Sequence, residues 1–167
     1  MLTPVGLENL LDVMKLMAAT ERLIAEFYRT GADIWEEDRA FWLATVAEEE
    51  KHAANIEKMA RIVAARPDRF EIGRPFNPAA IRTIMTGVEG HLKRLKEGRV
   101  ARDRLMIVAR DIEISLMEKA YGEIVRTTDV EYLELVREIL EETAHHRQSI
   151  ERRCRTLTAP GGTCAGR

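Results

Sequence analysis

The chain has 167 residues, enough for one domain with a buried core. Charged residues make up 32%, apolar ones 46% and aromatics only 5%, and Glu outnumbers Asp 21 to 7, which favours helix over a sandwich or barrel of short strands. A net charge of −2 offers no basic field to nucleic acid or membrane, no apolar run approaches the ~18 residues of a span, and Cys154 and Cys164 cannot build a disulfide framework.

Thr3-Pro4 predicts a helix start, a capping hydroxyl followed by Pro where its missing N–H costs nothing. The stripe Leu7, Leu10, Met14, Met17, Glu21, Ile24, Tyr28 follows at spacings of three and four, and Gly31 supplies a stop. A second helix is predicted from about Asp38 to just before Pro67, with Trp42, Thr45, Val46, Glu49, His52, Ile56, Met59 and Val63 on its stripe. Residues 66 to 77 are turn-rich, and Asn77-Pro78 opens a shorter amphipathic helix through Ile81, Ile84, Met85, Val88 and Leu92 that ends at Gly98. The third long helix is predicted from about Val100 to Arg126 through Met106, Ala109, Glu113, Leu116, Ala120 and Ile124. Thr128-Asp-Val-Glu131 reads as a capping box opening the fourth, which carries Leu135, Ile139, Glu142, His145 and Ser149. The segment from Thr158 (TAPGGTCAGR) has nothing to bury, so a helical domain over residues 1–157 and a disordered tail over 158–167 are expected. With no signal-peptide core at the N-terminus, the expected location is the cytoplasm.

Four long helices, with a short one in a long crossover between the second and third, predict an all-α four-helix bundle. Short loops make helices one and two antiparallel neighbours, and likewise three and four. The segment 66 to 99 then carries the chain back, so that helices two and three run the same way.

Glu21, Glu49, Glu113 and Glu142 each fall inside the apolar stripe of their helix, where a bare carboxylate is expensive unless a positive charge offsets it. Glu49 and Glu142 begin Glu-x-x-His motifs that end at His52 and His145. At i and i+3 both side chains point to one face, so both can ligate one metal. One Glu from each of two helices plus Glu-x-x-His from each of the other two is the ligand set of di-iron carboxylate bundles. Glu21 to Glu49 is 28 residues and Glu113 to Glu142 is 29, so the first half shifted by 92 or 93 becomes the second. His146, at i+4 from Glu142, is the competing ligand, and the repeat favours His145. Tyr28 and Tyr121, seven and eight residues beyond Glu21 and Glu113, are candidates for a place beside the metals. Glu48, Glu50, Glu141 and the Arg-rich end with Arg147, Arg152, Arg153 and Arg155 read as solvated faces, and His91 as a surface residue. Without metal, four carboxylates crowded in low dielectric are expected to have raised pKa values. The alternative is a duplicated bundle that keeps these residues as a buried hydrogen-bonded network.

ATERLIAEFY, VAEEEKHAANIE, RDIEISLMEKAY and LEETAHHRQSIE together resemble the rubrerythrin branch of the ferritin-like superfamily, over residues 5 to 155. The resemblance implies a ferritin-like bundle and a non-haem di-iron centre that reacts with dioxygen or hydrogen peroxide. It implies Glu21 and Glu113 as terminal carboxylates, Glu49 and Glu142 as bridging ones, and His52 and His145 as one nitrogen ligand per iron. Two departures stand out. The paired CxxC motifs of a rubredoxin-like domain are missing from the sequence, so an external electron donor is implied. The family's extra Glu, three residues beyond the third-helix ligand, is Leu116 here, so peroxidase activity does not carry over. The expected cofactors are two iron ions, with manganese or zinc able to use the same oxygen and imidazole donors. The expected partners are dioxygen or hydrogen peroxide, the electron donor and, in a homodimer, a second copy of the chain. Metal binding without turnover and a metal-free dimerisation module are the competing functions.

Overall fold

The computed structural model describes residues 2–74, 77–115 and 122–158. Five α-helices dominate it: α1 (Pro4–Ile34), α2 (Arg39–Ala65), α3 (Pro78–Lys96), α4 (Arg102–Ser115) and α5 (Val130–Thr158). Two three-residue strands, β1 (Phe70–Ile72) and β2 (Val125–Thr127), pair antiparallel with Phe70 opposite Thr127 and Ile72 opposite Val125. Leu116, Met117, Ala120, Tyr121, Cys164 and the expected tail beyond Thr158 lie outside the described residues. Among the described residues, no helix is long and apolar enough to cross a membrane.

The caps at Thr3 and Asn77 form as the sequence predicts: Thr3 Oγ1 accepts from the Gly6 N–H and Asn77 Oδ1 from the Ala79 N–H. All eight stripe residues of α2 are buried. Three boundaries differ. Gly31 does not stop α1, which runs on to Ile34; a Cβ there would stand 2.7 Å from Leu105 Cδ2, so this glycine lets two helices approach closely. The cap of α5 is Asp129 instead of Thr128, its Oδ1 accepting from the Tyr132 N–H at 3.2 Å. The helix expected to reach Arg126 has given way to turn and strand by Val125. Gly73 and Arg74 extend the ribbon by donating to the carbonyls of Ile124 and Glu123, and a Cβ on Gly73 would fall on the Glu123 carbonyl oxygen. This ribbon ties the connection after α2 to the one before α5.

Cross-helix contacts set the directions. Arg22 pairs with Glu57 and Arg29 with Glu50, so α1 and α2 are antiparallel. Lys51 pairs with Glu142, Asn55 with Glu138 and Lys58 with Glu131, so α2 and α5 are antiparallel too. Tyr28 meets Glu113 and Gly31 packs on Leu105, which runs α4 against α1 and hence along α2. α3 packs mainly on α1.

The apolar core is split in two. One cluster joins Met14, Met17 and Ala18 of α1 to Ala53, Ile56 and Met59 of α2 and Tyr132 and Ile139 of α5. The other joins Ile24, Phe27 and Tyr28 of α1 to Trp42 and Val46 of α2, Leu105 and Ile112 of α4, and Ile150 and Cys154 of α5. Along α1, α2 and α5 the step from one cluster to the other contains the polar residues singled out above, and on α4 Glu113 follows Ile112 of the second cluster.

Candidate metal centre

Glu21 lies between Ala18 and Ile24, and Glu49 and His52 between Val46 and Ala53; all three are 0% exposed. Glu113 follows Ile112 directly, and Glu142 and His146 lie between Ile139 and Ile150. Burying three carboxylates and two imidazoles between two apolar clusters, with Glu142 half-buried beside them, costs several kcal/mol per ion unless charge is compensated there.

Among the described residues, Glu49, His52 and His146 converge, each offering a ligand atom within 4.8 Å of the others. Glu49 Oε2 is 3.4 Å from His52 Nδ1, and Glu49 Oε1 is 3.4 Å from His146 Nδ1. The two imidazoles stack with centroids 5.3 Å apart. Glu142 joins from α5, its Oε2 3.2 Å from His52 Nε2, while its Oε1 accepts from Lys51 Nζ at 2.6 Å. Its side chain remains 26% exposed. On the α4 side, the buried Tyr28 hydroxyl donates to Glu113 Oε1 at 2.5 Å, and the Tyr28 ring stacks on Trp42. The hydroxyl therefore points inward, at a carboxylate of the layer.

His145 is exposed, and His146 takes the interior position. The physical reason is the stripe of α5, which passes from Ile139 to His146, Ile150 and Cys154 instead of through Ser149. Apolar residues at four and eight beyond His146 were the sequence signal for this. The internal repeat pointed one residue short.

Further contacts were not legible as such. Glu48, expected on a solvated face, forms an ion pair with His146 Nε2. Lys51, flanked by site residues, is held by both Glu138 and Glu142. Arg153 also leaves its expected solvated face, since it pairs with buried Asp38 and lies over the Phe41 ring. Glu50 is exposed and pairs with Arg29, as a solvated residue should.

Charge within the cluster is strongly coupled. Burial alone would raise the Glu49 carboxyl, but His146 and His52 outweigh it and lower its pKa to about 2, the opposite of the crowding expected from sequence. Burial likewise works against a charged His146, yet Glu49, with Glu113 and Glu48, raises it to about 9.

Comparison with family models, with curated proteins and with solved structures finds no match to this chain. The geometry has to speak for the function.

Proposed function

We propose that this chain is a di-metal carboxylate protein of rubrerythrin type, an oxidoreductase that reacts with dioxygen or hydrogen peroxide using an external electron donor. On this reading α1, α2, α4 and α5 form a ferritin-like four-helix bundle and α3 lies in its crossover. The observation that carries it is the polar layer between the two apolar clusters, built from Glu21, Glu49, His52, Glu113, Glu142 and His146.

The donors fit divalent cations. Among the described residues, both Glu49 oxygens, Glu142 Oε2 and His146 Nδ1 are buried without a hydrogen-bond partner, an arrangement that is costly unless something else engages them. Four carboxylates against two divalent cations sum to neutrality, so the full layer can be buried at little electrostatic cost. Oxygen and imidazole donors suit iron and also accept manganese or zinc. When bound, a reduced iron pair supplies two electrons to the oxidant, and the external donor restores them.

The chain's own residues do the rest. The Tyr28 hydroxyl fixes the orientation of Glu113, and Glu48 on His146 orients the imidazole in the manner of a carboxylate partner behind a metal-binding histidine. The apolar clusters on either side limit water access and hold the donors on rigid helices.

Stopped-flow mixing of the reduced, iron-loaded protein with hydrogen peroxide or dioxygen tests the reading. Reoxidation faster than that of the same iron in buffer is expected, and the faster oxidant identifies the substrate. Iron that stays bound but is oxidised no faster than free iron would reduce the protein to a metal binder.

A further inference from the structure

We infer that the layer fills unequally: both histidines serve one cation, which Glu49, His52 and His146 take first, before a second ion binds. This rests on the metal-binding reading above and departs from the one-histidine-per-iron arrangement that the resemblance implies.

The contacts already made by Glu142, Glu113, Glu49 and His146 carry the inference. Glu142 Oε1 is held by Lys51 at 2.6 Å, and Lys51 is itself anchored by Glu138 at 2.5 Å. Glu113 Oε1 is held by Tyr28 at 2.5 Å. An ion that takes both oxygens of either carboxylate must displace a contact already made. Glu49 is different: it is 0% exposed, neither oxygen has a hydrogen-bond partner among the described residues, and what faces it is an imidazole on each side. His146 is 3% exposed; Glu48 engages its Nε2, which leaves Nδ1, 3.4 Å from Glu49 Oε1, as the nitrogen open to an ion.

The helix register produces this. Glu49 and His52 lie one turn apart on α2. The i+4 position of His146 relative to Glu142, in place of i+3, turns the second imidazole across the α2–α5 interface onto the same carboxylate. Two histidines and one carboxylate with open positions form a recognised ligand set for a single divalent first-row ion. Glu142 is the adjacent reserve: its Oε2 lies 3.2 Å from His52 Nε2, and its Oε1 becomes available to a second ion once Lys51 lets go.

The unmodified chain can be tested directly, because it has only four histidines and two of them, His91 and His145, are outside the set. Imidazole nitrogen resonances are followed while Zn2+, a diamagnetic probe, is added to chelator-treated protein. The first equivalent should move the His52 and His146 signals together and leave those of His91 and His145 in place. If the first equivalent moves one of the pair and the second moves the other, the inference is overturned and the di-metal reading stands. If no signal moves, both fail. Calorimetric titration of His146→Ala and Glu113→Gln gives an independent readout, with thermal melts to show that each is folded. His146→Ala should weaken the first step by at least about a hundredfold, beyond the usual loss from an outer-shell partner, and Glu113→Gln should weaken it far less. Equal weakening by both substitutions would also overturn the unequal filling.

Discussion

The Tyr28 hydroxyl on α1 donates to Glu113 Oε1 on α4 at 2.5 Å, with both side chains buried where the two apolar clusters meet. Tyr28→Phe keeps the ring on Trp42 and removes this bond. A hydrogen bond to a charged group contributes about 1.5–3 kcal/mol, so urea denaturation of the metal-free variant should show a loss of that size. A change below about 0.5 kcal/mol, the level of an ordinary surface substitution, would mean the bond is not made in solution.

Neighbouring glutamates on α2 should behave oppositely. Glu49 is fully buried between two imidazoles, while Glu50 is exposed and held by Arg29. Glu49→Ala is expected to abolish retention of both ions, measured by elemental analysis after gel filtration. Glu50→Ala should retain them and cost no more than the ~1 kcal/mol of a surface ion pair. Equal loss of metal from the two variants would mean that the wrong face of α2 has been assigned to the interior.

The coupled pair of Glu49 and His146 gives the metal-free protein a defined pH response. His146, raised to about 9 against ~6.5 unfolded, makes its contribution fully below ~6.5 and loses it as pH rises through about 9. Glu49, lowered to about 2, contributes above its ordinary value of 4.5 and loses that contribution as pH falls toward about 2. Denaturant melts of chelator-treated protein should therefore show falling stability between pH ~6.5 and ~9. His146→Gln should flatten that slope. With ions bound, protons compete for the same donors, so stability of the loaded protein should instead fall as pH drops. Parallel slopes with and without metal would point to the plain polar network.

At the far end of the second cluster, Asp38 is 0% exposed and accepts from Arg102 Nε at 2.5 Å and from Arg153 at 2.5 Å. It joins the start of α2 to α4 and α5. Asp38→Ala removes the one carboxylate that both guanidiniums share there. The expected loss is about 3 kcal/mol, the low end for a broken buried pair, because both arginines keep partial contact with water. Thermal unfolding compared with Arg153→Ala, which breaks only one arm, should rank the aspartate substitution as the more damaging.

Periodicity made most of the helical core legible. The stripes of α1 and α2 are buried almost residue for residue, and Glu21, Glu49, His52 and Glu113 are interior because an α-helix cannot turn one position out of a continuous stripe. What failed depended on tertiary partners. Gly31 carries the composition signal of a stop, but Leu105, seventy-four residues on, decides that it is a packing position. β2 forms because β1 lies beside it, and three residues of strand leave no pattern to read. The choice between His145 and His146 turned on a single residue of register. Positions i+3 and i+4 both border Glu142 on the helix surface, and only the apolar Ile150 and Cys154 further along distinguish them. The partners of Glu48 and Lys51 come from α5, which no spacing within α2 can disclose.

Loading chelator-treated protein anaerobically with Fe2+, removing unbound ion by gel filtration and counting what remains tests the central claim most directly, with a thermal melt of the same sample. The account predicts about two ions per chain and a melting temperature above that of the metal-free protein, as mass action requires of a ligand bound by the native state. A folded protein that retains no iron, and whose melting temperature does not rise with Fe2+, Mn2+ or Zn2+, would contradict it.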